Sequence, residues 1–161
     1  MWDGMGNPAL GEFDDDLIPY MRRLVNQGKF VAATEVDGML VTHAGLHPWL
    51  AKKEFSDDPA EVAAELNDQL IAAAMGQYNR FKAITDHTYS IFWMRPQIKH
   101  LPDGWWKYGQ KTPYTQVVGH TPRFEHPRFI EDRNLWLIDR GAYTFPEYPS
   151  IGALVKREGE T

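Results

Sequence analysis

At 161 residues and 18.5 kDa, with 43% hydrophobic and 13% aromatic residues, the chain is bounded at one globular domain, and its composition argues against intrinsic disorder. A net charge of -5 and a pI of about 5.6 argue against a general nucleic-acid binder, and the lack of cysteine excludes disulfides and thiolate ligands, which fits a cytoplasmic location. The opening MWDGMGNPALGEFDDD lacks the basic start and apolar core of a signal peptide, and no apolar run approaches the roughly 18 residues of a membrane span.

Residues 1–13 read as a loop rich in glycine and proline. From Asp15 to Gln27, Leu17, Ile18, Met21 and Leu24 recur at helical spacing, and Gly28 is a natural stop. KFVAATEV and MLVTHAGL flank Asp37-Gly38, a pair that supplies the positive φ angles of a tight hairpin turn. AEVAAELNDQLIAAAM comes after Asp58-Pro59 as the clearest helix, capped by Asp58 or Ser56 and ended by Gly76. Its Val62, Leu66, Leu70 and Ile71 are expected on the core face.

QYNRFKAI reads as a short second helix, SIFWMRP as an apolar run stopped by Pro96, and PDGWW as a turn. TQVVGH, NLWLIDRG and IGALVKRE read as strands. The expected class is α/β, a mixed β-sheet with flanking helices in a single domain over residues 1–161.

Two stretches share a design. LVTHAGLHP carries His43 and QVVGHTP carries His120, each histidine ending an apolar run just before a turn. Sites in α/β sheets collect beyond the carboxyl ends of strands, and neutral imidazole is a common metal ligand. Gly119, just before His120, would let a ligand or backbone approach closely. Spacing alone leaves two readings open, a shared metal site or two separate hydrogen-bonded histidines. His47 and His126 flank prolines and read as surface residues, while His87 and His100 show no partner pattern. Trp105, Trp106 and Tyr108 read as packing against the sheet or as the lining of a substrate groove.

LVTHAGLHP resembles the His-[AG]-[GD]-x-x-P element of calcineurin-like metallophosphoesterases, and VVGHTP resembles their Gly-His-Thr-Pro element. Between them IFWMR is similar to an Ile-Trp-x-Arg segment, and LWLIDRGAYT and GALVKRE resemble the later Ile-Asp-Thr-Gly-Ala stretch and closing strand. Five elements in order, over residues 29–157, resemble the phage and bacterial serine/threonine-type protein phosphatases and their bis-nucleoside tetraphosphatase relatives.

The resemblance implies part of an α/β/β/α sandwich and a centre of two divalent ions, manganese, iron or zinc, that hydrolyses phosphate esters by in-line displacement. It assigns His43 and His120 as metal ligands, Arg95 as the group holding phosphate oxygens, and Asp139 as a residue fixing the surrounding loop. The family's Gly-Asp-x-His-Gly, Gly-Asp-x-x-Asp-Arg-Gly and Gly-Asn-His-[Asp/Glu] elements do not occur in the chain. MWDGMG resembles the segment just past the Gly-Asn-His-[Asp/Glu] element in phage members. Gly6-Asn7 precedes Pro8 rather than histidine, and Arg140 stands where threonine is usual.

The expectation is therefore the carboxyl-terminal part of a phosphoesterase, inactive alone and acting on a phosphorylated substrate, either as a truncated fragment or as one half of a split enzyme whose partner is a separate amino-terminal half. Neither nucleic acid nor membrane is expected as a partner. The alternative is a non-catalytic remnant that binds a partner protein or phosphate ligand.

Overall fold

A computed structural model describes residues 17–77, 81–85, 89–92, 111–120 and 127–139. Helix α1, Leu17–Asn26, closes through Lys29 N donating to Leu24 O at 2.9 Å, and Gly28 takes the left-handed φ of 65° that such an ending favours. The hairpin forms where Asp37-Gly38 marks it, with φ of 52° and 75° and Val36 paired to Met39. Its strands are short: β1 is Ala33–Val36 and β2 is Met39–Thr42. Residues 43–46, expected to continue the second strand, form a loop after β2 in which Ala44, Gly45 and Leu46 are buried.

Helix α2, Pro48–Glu54, was not expected from the sequence. It starts because Pro48 suits a first helical turn and His47 caps it, its Nδ1 accepting from Trp49 N at 3.1 Å. His47 is thus a correction. It is 4% exposed, packed edge-on against Tyr89 at 5.1 Å, because capping and ring packing together outweigh the polarity of its loop.

Helix α3, Pro59–Ala74, begins as expected, with Asp58 accepting from Ala60 N at 2.8 Å, and Gly76 lies just past its end with φ 98°. Val62 and Leu66 face the core, but Ile71 is exposed, lying ~140° around the helix from Leu66. Gln69 and Ala73 complete the buried face instead. Helix α4 is Lys82–Thr85, the last three residues of the QYNRFKAI stretch and the threonine after it.

Among the described residues the sheet is mixed and five-stranded, in the order β1-β2-β3-β5-β4, where β3 is Thr115–Val118, β4 Arg128–Ile130 and β5 Leu135–Leu137. β2, β3 and β5 are parallel, and β1 and β4 are antiparallel edges. Register sets Leu40 beside Gln116 beside Leu135, and Thr42 beside Val118 beside Leu137, so these buried residues share one face. One core cluster gathers Leu40, Leu46, Leu50, Val62, Leu66 and Ile91, and a second gathers Ala44, Val118, Leu135 and Leu137.

Helix α3 is stitched to the outer edge of β1 by one side chain. Asn67 Oδ1 accepts from Ala32 N at 2.8 Å and Ala33 N at 3.2 Å, and its Nδ2 donates to Ala33 O at 3.0 Å. Antiparallel alternation turns the polar groups of Ala33 away from β2, so this amide satisfies an otherwise open edge. No helix among the described residues is long and apolar enough to cross a membrane.

Candidate metal centre

The parallel register brings the carboxyl ends of β2, β3 and β5 to one edge of the sheet, where α/β folds commonly hold ligands. His43 comes one residue after β2, and His120 and Asp139 come two residues after β3 and β5. The backbone ties these ends together: Gly119 N donates to His43 O at 2.9 Å, and Ile138 N donates to Val118 O at 2.9 Å.

At His120 the chain turns with φ 62°, a left-handed conformation that costs an L-residue roughly 1–2 kcal/mol and recurs at functional sites. The turn sets its ring against that of His43. His43 Nε2 and His120 Nδ1 are 2.9 Å apart, with centroids 4.7 Å apart and ring planes tilted by 59°. At that distance the rings share one hydrogen bond, and the tautomer decides which nitrogen donates.

Gly119 is less constrained than its position suggests. A Cβ built there would meet His43 O at 3.6 Å and Asp139 Cβ at 3.9 Å, both ordinary contacts. The same distances show how closely the three strand ends converge.

His43 is an exposed residue overall, yet partial burial of its ring pushes its pKa below the ordinary histidine value, and the negative charge of Asp139 opposes that shift. The result favours neutral imidazole, the form that can donate a lone pair to a metal. Asp139 thus acts on His43 through charge, whatever else it holds. Arg95 lies outside the described residues, as do His87, His100, His126, Trp105, Trp106, Tyr108, Arg140 and the IGALVKRE stretch.

Comparison with protein-family models, with curated proteins and with solved structures gives no match for this chain.

Two imidazole nitrogens each about 2.1 Å from one ion stand roughly 3–3.5 Å apart, so the observed pair needs only slight spreading to offer adjacent donor positions. Among the described residues, no group of three or more His, Asp or Glu side chains is arranged to hold a metal. The spacing of the pair fits an ion as a partial ligand set, two donors of the three or four that a stable site uses.

Sequence reasoning missed Gln116, which is fully buried in β3 and bonded to the loop after β2. A signal was present. A central parallel strand usually reads as continuous apolar residues, so a glutamine inside TQVV announces a hydrogen-bonding duty.

Proposed function

We propose that this chain supplies the histidine side of a divalent-metal phosphoesterase centre, within part of a metallophosphoesterase sandwich. The observation that carries the reading is the approach of His43 Nε2 to His120 Nδ1 at the carboxyl ends of adjacent parallel strands. The ordered elements of the sequence that resemble the calcineurin-like family support it. So does the mixed sheet, which has parallel central strands where that chemistry is expected.

In this reading His43 and His120 hold an ion of manganese, iron or zinc, the second of two in the complete centre. A bound divalent ion supplies Lewis acidity toward a phosphoryl oxygen. The chain's own contribution is to present two neutral nitrogens. The proton between them must leave the line joining the rings, so whichever ring donates adopts its other tautomer. Gly119 and the left-handed turn at His120 hold the second ring in place while this occurs. Arg95 would hold phosphate oxygens of the substrate, and carboxylates that do not belong to these 161 residues would complete the ligand sets.

The test is reconstitution. The chain is mixed with a polypeptide carrying the Gly-Asp-x-His-Gly, Gly-Asp-x-x-Asp-Arg-Gly and Gly-Asn-His-Glu elements of a phage phosphatase, with manganese and p-nitrophenyl phosphate. Turnover only in the mixture, abolished by His120→Ala, supports the reading. No turnover from a mixture that demonstrably associates would overturn it.

A further inference from the structure

We infer that Gln116 is a positioning residue for the histidine pair: its side-chain amide clamps the loop after His43 onto β3, the strand that leads to His120. The inference rests on the reading of His43 and His120 as ligands of a common ion and adds the part that fixes their separation.

Gln116 is 0% exposed. Its Oε1 accepts from Leu46 N at 2.8 Å and its Nε2 donates to Leu46 O at 2.9 Å, so one side chain answers both backbone groups of a residue that is itself 0% exposed. No water can replace these bonds readily at such depth, and a buried backbone group without a partner is costly. The amide therefore acts as a substitute peptide unit for a loop that has left the sheet.

The clamp has an anchor on each side. Gln116 Nε2 also approaches Thr112 Oγ1 at 3.4 Å, and that hydroxyl donates to Tyr114 O at 2.7 Å, which braces the start of β3. Asn134 Nδ2 donates to Thr112 O at 3.2 Å, joining the approach to β5 to the same network. On the loop, His43 O accepts from Gly119 N and Ala44 N donates to Ile91 O at 2.6 Å. Gly45 then turns with φ 105°, delivering Leu46 to the amide.

Both histidines thus hang from β3. His120 does so through the chain, four residues beyond Gln116, and His43 does so through the bonds at either end of its loop. Releasing Leu46 removes the tie at the far end of the loop and leaves His43 held by the pairing of Thr42 with Val118, by its backbone bond to Gly119 and by Ala44. The imidazole separation is then fixed less tightly. Partners that orient metal ligands without touching the metal typically change affinity by about 10–100-fold.

The experiment compares Gln116→Leu, Gln116→Met and Gln116→Glu with the unaltered chain. The first readout is the nitrogen-15 imidazole spectrum of metal-free protein, in which the shared proton couples His43 Nε2 to His120 Nδ1. The second is zinc affinity by calorimetry. Both apolar variants are expected to lose the inter-ring coupling and to bind zinc at least about tenfold more weakly. Gln116→Glu is expected to retain both at neutral pH, because burial keeps the carboxyl protonated and able to accept from Leu46 N and donate to Leu46 O.

Apolar variants that fold and melt earlier, yet keep the coupling and the zinc affinity, would overturn the inference, since Gln116 would then serve stability alone. If neither apolar variant folds, the pH of Gln116→Glu is raised through ionisation of the new carboxyl. That removes the donor to Leu46 O and sets a negative charge against that carbonyl while the bond from Leu46 N remains. Unchanged coupling in that folded chain overturns the inference. Should the unaltered chain bind no zinc, or bind it equally well after His43→Ala, the metal reading fails. The coupling readout still decides the role of Gln116.

Discussion

His43 Nε2 and His120 Nδ1 face each other at 2.9 Å from the ends of two parallel strands, a gap that fits one shared proton and that, in the proposed function, would widen slightly to take one metal ion. A proton shared between the rings and a metal ion between them would exclude one another, so metal binding, as proposed, would break the inter-ring hydrogen bond.

The isolated chain is expected to bind zinc or manganese weakly, with a shallow titration. Stable sites of this type use three or four protein ligands, and the described residues bring together two. Either His43→Ala or His120→Ala should remove the binding, and neither variant nor parent should hydrolyse p-nitrophenyl phosphate above background. A tight one-to-one complex in calorimetry would mean that further ligands are present in the chain.

The lowered pKa of His43 has a stability consequence. Burial disfavours its charged form in the folded state, while the unfolded chain keeps the ordinary value of 6.5. Between the two values the unfolded state binds more protons, so stability rises with pH there. Stability should fall as the solution is acidified through about 6.5 and level off, for this group, below its folded value. His43→Gln should flatten that part of the profile, which urea titrations at a series of pH values would measure. An unchanged slope would show that His43 titrates as in the unfolded chain.

The hairpin and α3 were legible because their signals are local. Asp37-Gly38 can satisfy a two-residue turn, and Asp58-Pro59 and Gly76 bracket a helix, whatever packs around them. The placement of His43 and His120 at strand ends was legible for the same reason. Their approach from adjacent strands was not a property of either stretch, since 77 residues separate them and only the β2–β3 register closes the distance. Helix α2 and the burial of His47 escaped because a histidine before proline reads as polar loop until the ring of Tyr89 is beside it. Gln116 escaped because its partners, the backbone groups of Leu46, have no sequence signature at all.

Tyr114 offers a test at alkaline pH. It is 5% exposed, and its hydroxyl has no hydrogen-bond partner among the described residues. Burial first, and the charge of Asp57 second, push its pKa well above the ordinary 10.0. Above pH 10.0 the unfolded chain loses this proton while the folded chain keeps it, so stability falls as pH rises. Tyr114→Phe should remove that alkaline loss and, at neutral pH, stay within about 1 kcal/mol of the parent on the stabilising side, because no bond is broken. Thermal melts at neutral and alkaline pH would report both effects. A neutral-pH loss well beyond about 1 kcal/mol would reveal a partner for the hydroxyl.

Asn67 should be the most sensitive polar residue of α3. Ala32 and Ala33 are each 3% exposed, and three hydrogen bonds to their backbone end on this one amide. Asn67→Leu keeps the volume but leaves those groups buried without partners, at about 1–3 kcal/mol for each group not rescued by water. A total loss of roughly 2–4 kcal/mol is expected, since some solvent can reach an edge strand. Asn67→Asp separates the two halves of the amide: it keeps an acceptor for Ala32 N and Ala33 N but loses the donor to Ala33 O. It should therefore cost less than leucine at neutral pH. Amide hydrogen exchange adds a local reading, because Ala32 and Ala33 should exchange far faster in Asn67→Leu while the amides of β3 stay protected. Leucine and aspartate variants as stable as the parent, with Ala33 still protected, would mean that the edge of β1 is closed by something other than Asn67.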